Sequence, residues 1–332
     1  MITRRTALAG GVAALAAPVA VPAFGQQQTL SNGGWRPTRP ITIVVPFAAG
    51  SGTDAVARIL AQRLGEELGG AGLVVDNRPG ANGAIAAAQV ARAAPDGYTL
   101  FDTTNTTHSA NPSLLKRMSY DPVADFAPIS RIGNLPFMLA VGEQVRANTV
   151  QELLALARAR RGDASYASGN STGIVAGATM ARMAGVEMLH VPYRSTPPAM
   201  TDVMTGRVTC MFVDIAAGLG NARAGKLRIL ATTTRERSAL LPEVPTMHEA
   251  GLPGFDITSW NGVFGPAGMS PEIVATLNAA IRRALDRPGV KRRFAEIGFE
   301  AFAGTPEELD AFVRAEIVRW RELVEAAGIE KE

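Results

Sequence analysis

The residues best suited to chemistry in this chain lie in two glycine- and hydroxyl-rich turns, each between an apolar run and a stretch of helical spacing. The first is Pro46-Phe47-Ala48-Ala49-Gly50-Ser51-Gly52-Thr53-Asp54. Gly50 and Gly52 allow close backbone approach, and Ser51 and Thr53 add hydroxyls. A helix opening here presents unpaired N–H groups and the positive end of its dipole, which hold an anion without a charged side chain. Asp54 suits a helix cap, or an acceptor for a ligand ammonium or hydroxyl. The Lys-Ser/Thr ending of a phosphate-binding loop and the dinucleotide fingerprint are both missing. The second turn, Tyr166-Ala167-Ser168-Gly169-Asn170-Ser171-Thr172-Gly173, repeats the logic. One such turn per lobe, facing a shared cleft, would grip both ends of a dicarboxylate.

Further candidates flank them. Thr103-Thr104-Asn105-Thr106-Thr107-His108 is a run of hydrogen-bonding side chains, costly to bury without partners; it is expected to line a wet site through Thr104, Thr106 and His108. Tyr193, beside Arg194, is placed to pack over a ligand. Asp214 ends an apolar run and either accepts from a ligand donor or caps the next helix. A rival reading exists, because the second turn also matches the G-x-S-x-G nucleophile elbow, and Ser171, Asp214 and His248 follow in hydrolase order. No HGGG-like oxyanion segment precedes it. The histidines His108, His190 and His248 lack metal-ligand spacing, so neither a metal nor another cofactor is expected. The lone Cys210 sits in an apolar run and reads as a buried thiol.

These residues need rigid supports, and the sequence supplies them. Short β-rich runs alternate with helical periods, as in α/β lobes with largely parallel sheets. Ile41–Val45, Leu73–Val75 and Tyr98–Asp102 read as strands around helices from Asp54 to Leu68 and from Ala84 to Ala93. A second set comprises strands at 139–141, 165–168, 189–192, 211–214 and 227–232, with helices at 149–160 and 172–184. An extended stretch follows from Ile257 to Phe264, then helices at 271–285, 288–297 and 305–327. This order predicts lobe I from 40–136 plus 258–332 and lobe II from 137–257, joined by a two-crossing hinge.

The amino terminus reads as an address. Arg4 and Arg5 precede an apolar run from Ala7 to Val21, and Ala23-Phe24-Gly25 offers small residues for cleavage. Residues 1–25 are thus expected to be a secretory signal, by the Sec or twin-arginine route, and 26–39 a flexible leader. The apolar run is too short for a permanent anchor. A 47% hydrophobic, 19% charged composition is that of a globular protein, and a formal charge of +3 is too mild and too scattered for a nucleic-acid surface.

Six strings in order resemble one family: Pro46-Phe47 through Gly52-Thr53-Asp54; Asp76-Asn77-Arg78-Pro79-Gly80-Ala81; Pro95-Asp96-Gly97-Tyr98-Thr99-Leu100; His190-Val191-Pro192-Tyr193; Ala224-Gly225-Lys226-Leu227-Arg228; and Gly262-Val263-Phe264-Gly265-Pro266-Ala267-Gly268. Together they resemble the Bug-type periplasmic receptors of tripartite tricarboxylate transporters. The resemblance implies a type II periplasmic-binding fold of two α/β lobes with Venus-flytrap closure. It also implies a monomeric, non-catalytic receptor that captures a small carboxylate and delivers it to membrane permease subunits; a periplasmic sensor without transport is the alternative. Carried over by position, it puts Phe47, Gly50, Ser51, Gly52, Thr53 and Asp54 in one lobe's turn and Ser168, Gly169, Asn170, Ser171 and Thr172 in the other. Thr104, Thr106, His108, Tyr193 and Asp214 become side walls. Ala48, Ala49 and Ser51 replace the usual Pro and Gly, and Arg194-Ser195 the usual Lys-Gly.

Overall fold

The computed structural model describes residues 34–160 and 162–332; the expected signal and most of the expected leader lie outside the described residues. The first lobe begins with β1 (Ile41–Val45), a β-branched run buried along almost its whole length, and α1 (Gly52–Glu67). Then come β2 (Leu73–Asn77), α2 (Ala84–Ala91) and β3 (Thr99–Thr104). After β3 the chain winds into a π-helical turn at Thr106–Ala110 and the short α3 (Asn111–Leu114), and returns as the long β4 (Phe126–Leu135).

Pro136 alone separates β4 from β5 (Phe137–Gly142), which opens the second sheet. That lobe continues with α4 (Val150–Ala159), β6 (Ser165–Ser168), α5 (Ser171–Ala184), β7 (Leu189–Pro192), α6 (Thr196–Met204), β8 (Cys210–Asp214), α7 (Ile215–Arg223) and β9 (Leu227–Thr232). Residues 233–258 lead back to β10 (Ser259–Pro266) in the first sheet. There α8 (Pro271–Asp286), α9 (Pro288–Glu296), β11 (Glu300–Ala301) and α10 (Pro306–Ala327) complete the chain.

The first sheet has the order β11-β4-β10-β3-β1-β2, and the second β7-β6-β8-β5-β9. Both are less parallel than the strand–helix alternation predicts. β1 runs parallel to β2 and β3, but β10 is antiparallel to β3 and β4. In the second sheet β6 is parallel to β7 and β8, whereas β5 opposes β8 and β9. The reason is connectivity. β5 and β10 each enter their sheet from the other lobe, without the crossover helix that keeps successive strands parallel.

Caps set where the helices begin. Ser51 Oγ accepts from Asp54 N (3.3 Å), Asn170 Oδ1 from Gly173 N (2.9 Å) and Asp214 Oδ1 from Ala217 N (2.8 Å). Each cap stands at or a few residues past the end of a strand with a parallel neighbour, so the amino ends of α1, α5 and α7 gather at those strands' carboxyl edges, where open α/β sheets bind ligands. Apolar packing runs unbroken from Ile43, Leu60 and Leu277 in the first lobe to Leu139, Phe212 and Met180 in the second. The lobes are thus drawn together.

Candidate functional site

Between the two sheets lies a narrow cleft lined by Phe47, Ser51, Gly52, Thr53, Thr104, Thr106, Leu135, Phe137, Asn170, Thr172, Thr196, Asp214 and Ser259. Nine of these are sequence candidates; the other four are Leu135, Phe137, Thr196 and Ser259. Leu135 and Phe137 flank the Pro136 crossing, so the passage between lobes is also a cleft wall. Thr196 opens α6, a further helix aimed at the cleft.

The lobes meet directly at this seam. Ala48 N donates to Ser195 Oγ (3.0 Å), Ser171 Oγ to Thr106 Oγ1 (2.9 Å) and Asn105 Nδ2 to Thr172 Oγ1 (3.0 Å). Ser195 precedes α6 but makes no side-chain cap to it; its hydroxyl is turned across the gap instead. Asn105 also accepts from the Ser259 hydroxyl, tying β10 into the same network. A Cβ added to Gly52 would overlap Asp214 Oδ1, so the glycine is what allows the two turns to touch. The space left for water-molecule centres is ≈ 10 Å³, room for about one water. This is a closed form.

Donors remain. Among the described residues the amides of Gly52, Thr53 and Thr172, each in the first turn of its helix, make no hydrogen bond. No Lys, Arg or His among the described residues lines the cleft, and Asp214 is its single ionisable side chain. Asp214 is buried, and burial pushes its carboxyl up to about 6 against the opposing pull of the Ala217 N–H and of its own backbone N–H.

Seven predicted residues stand elsewhere. Gly50 is exposed at φ 83, and its N–H goes to Asp54 Oδ2 (3.0 Å). Asp54 faces away from the cleft, bound by Arg58 Nε (3.0 Å) and Asn77 Nδ2 (3.0 Å). Burial alone would raise its pKa, but the bonds from Arg58, Gly50 and Asn77 together hold it below the usual range. Asp54 therefore stiffens the turn and is not a wall. Ser168 Oγ bonds to His190 Nε2 (2.7 Å), and Gly169 is glycine because a Cβ would overlap the Ser195–Thr196 backbone. Ser171 is buried one step behind the lining, against Thr106.

Tyr193 is corrected more firmly. Its hydroxyl donates to Asp202 Oδ2 (2.7 Å) and its half-buried ring packs on the second lobe's core, outside the cleft lining. His108 is corrected too. The π-helical turn swings it away from the cleft and into the first lobe's aromatic cluster, stacked on Phe264 (centroids 4.1 Å apart) and tilted against Phe126 (4.7 Å). Burial there drives its pKa down to about 3, so it is neutral. The hydrolase order also dissolves. Ser171, Asp214 and His248 share no hydrogen bond, and His248 Nδ1 accepts from Gly254 N (2.9 Å) on the surface.

Beneath the cleft floor lies a pair that the sequence did not single out. Asp102 on β3 and Asn261 on β10 are both fully buried, and Asn261 Nδ2 donates to Asp102 Oδ1 (3.1 Å). Asp102 Oδ2 and Asn261 Oδ1 have no donor among the described residues. A protonated Asp102 resolves both, its O–H serving Asn261 Oδ1 in an acid–amide pair. Burial raises the Asp102 pKa to about 8, in keeping with this.

Comparison with known proteins decides the family. The model described as "Tripartite tricarboxylate transporter family receptor" matches residues 56–329. The chain belongs to this receptor family. Among curated members, it is 39% identical over 291 residues to the UPF0065 protein in the tcbD–tcbE intergenic region of a Pseudomonas species, covering 87% of this chain and 86% of that one. It is 33% identical over 334 residues to Protein BugT of Bordetella pertussis, with 98% of each covered. Among solved family structures, R. palustris Rpa4515 with adipate superposes with a TM-score of 0.87 at 37% identity, over 89% of this chain and 99% of that one. The periplasmic binding protein BugD gives 0.85 at 34%, over 89% and 100%. MatC from Rhodopseudomonas palustris with bound malate gives 0.80 at 34%, over 87% and 99%. The two-lobed α/β architecture is that of these periplasmic receptors.

Proposed function

We propose that this receptor captures a small carboxylate in the cleft between lobe I (40–136 plus 258–332) and lobe II (137–257), and delivers it to permease subunits of a tripartite transporter. The observation that carries the reading is the set of three unbonded helix-start amides, at Gly52, Thr53 and Thr172, facing one cleft from both sheets. Oriented amides at helix amino ends hold a carboxylate without a counter-charge, and a dry site strengthens each bond. The carboxylates named with two family structures, adipate and malate, support the same class.

The cycle follows from the closed geometry. A cleft with room for about one water admits no carboxylate, so the lobes separate about Pro136 and the 233–258 connection. Ligand binds the open form, and closure re-forms the seam around it. Nothing in the cleft is arranged for bond cleavage, and a binding role requires no catalyst. The periplasm is the working compartment on this reading, with residues 1–25 as the export signal. No described helix is long and apolar enough to cross a membrane.

Thermal-shift measurements with a panel of mono- and dicarboxylates test the reading. A true ligand at about 100 times its Kd adds about 2.7 kcal/mol of stability. If uncharged solutes raise the melting temperature while every acid leaves it unmoved, the assignment is wrong.

A further inference from the structure

The string Asp76-Asn77-Arg78-Pro79-Gly80-Ala81 lies outside the cleft lining, yet its second residue reaches the turn that lines it. Asn77 ends β2 and pairs in register with Val45, the last residue of β1. Beyond Val45 the chain leaves the sheet at Pro46, which has no N–H to carry the ladder on. The Asn77 side chain takes over there. Its Nδ2 donates to the Phe47 carbonyl (2.9 Å) and to Asp54 Oδ1 (3.0 Å), which uses both hydrogens of the amide. Arg58 Nη2 in turn donates to Asn77 Oδ1 (3.3 Å), so the amide is held from both ends.

The Phe47 carbonyl belongs to the same peptide as the Ala48 N–H. A planar trans peptide points these two groups in opposite directions, so fixing one aims the other. Ala48 N is the group that donates across the gap to Ser195 Oγ (3.0 Å). We infer that Asn77 is a positioning residue for lobe closure: it holds the Phe47–Ala48 peptide so that its N–H is already aimed at Ser195 when the lobes meet. Two effects follow from the one contact. A peptide fixed in the open form has less conformational entropy to lose on closing. A bond accepted by the carbonyl also polarises the peptide and strengthens its N–H as a donor. Asn77 thus acts from behind the turn, through one main-chain unit, on a bond to the other lobe.

Amide hydrogen exchange, followed residue by residue by NMR on the ligand-free protein, tests this at Ala48. Wild type, Ser195→Ala, Asn77→Ala and the double variant are compared at one pH. Ser195→Ala removes the acceptor and should speed Ala48 exchange about tenfold. Asn77 is half-buried, so alanine there leaves the core intact, and it should speed Ala48 exchange to the same degree. The double variant should stay near that level, where independent effects would multiply to about a hundredfold. The amides of Ile43, Val44 and Val45 in β1, and of Gly50, which is bonded to Asp54, should keep their rates within about twofold in Asn77→Ala. Equal loosening of β1, Gly50 and Ala48 would make Asn77 a general brace of the turn and overturn the inference. So would multiplied losses in the double variant, or an Asn77→Ala protein that protects Ala48 as the wild type does. Unchanged Ala48 exchange in Ser195→Ala overturns it without any Asn77 variant, because the bond to be aimed would not exist. No ligand enters the measurement, so the carboxylate reading stands or falls separately.

Discussion

Replacing Gly52 by Ala is expected to weaken ligand binding by one to two orders of magnitude while leaving each lobe folded. The two halves of that expectation have separate causes. Gly52 is the first residue of α1 and does not have a positive φ, so alanine suits the helix itself. Across the seam, however, the added methyl overlaps Asp214 Oδ1. Asp214 could withdraw only by giving up its bond to Ala217 N, a cap of the kind worth about 1 kcal/mol, and by disturbing a buried site. Either way the closed form is penalised relative to the open one. A penalty of ~1.4–2.8 kcal/mol on closure is a ten- to hundredfold loss of affinity. Calorimetry with whichever acid binds the wild type checks the affinity, and small-angle scattering checks the shape. The variant should scatter as a more open particle with an unchanged circular dichroism spectrum. Unaltered affinity and compactness would mean the seam does not close through this contact.

The second large effect is on stability against pH. Asp102 is held protonated by burial, with a folded-state pKa of about 8 against an ordinary carboxylate value of 3.8. The sign follows from proton counting. Between 3.8 and 8 the folded chain keeps a proton that the unfolded chain has released, so this group's contribution is full below 3.8 and drains away as pH rises. His108 acts oppositely, since it stays neutral to about pH 3 when folded but takes a proton below 6.5 when unfolded. It therefore costs stability only on acidification. Above about pH 7, clear of the depressed His108 and His190 and of Asp214 near 6, the Asp102 effect dominates, with stability falling by up to ~1.4 kcal/mol per pH unit until it levels off around 8. Urea titrations at pH 7, 7.5 and 8 should show the decline in the wild type and its disappearance in Asp102→Asn. A wild type with level stability across that window would mean Asp102 is ionised in the fold, and the acid–amide pair with Asn261 does not exist.

Much of the site could be read from the chain because its information is local. Gly and hydroxyl residues just before an apolar helical period announce a strand-to-helix turn, and both turns line the cleft, through Ser51, Gly52 and Thr53 in one and Asn170 and Thr172 in the other. The helices from α8 to α10 were equally plain from their Pro starts and apolar spacing. What escaped depends on contacts distant in sequence or on direction within a turn. Asn105 meets Ser259 154 residues away, and no local pattern announces that pairing. Thr196 hid behind an aromatic–Arg pair that drew attention to Tyr193. The strand β4 was obscured by Pro128 and Gly133, which break its alternation. His108 departs from its expected place because a π-helical turn at Thr106–Ala110 redirects the side chain, and the ring ends among Phe101, Phe126 and Phe264.

The bonds that hold the lobes shut at the cleft run between hydroxyls, amides and main chain, with no ion pair bridging Ser51–Thr53 or Thr104–Thr106 to Asn170–Thr172, Ser195 or Asp214 among the described residues. Screening by dissolved salt acts on separated charges and barely touches neutral dipoles in contact. The balance between shut and parted shapes should therefore hold steady from ~10 mM to ~1 M sodium chloride. A receptor latched in this way shuts to the same degree in dilute water and in brine.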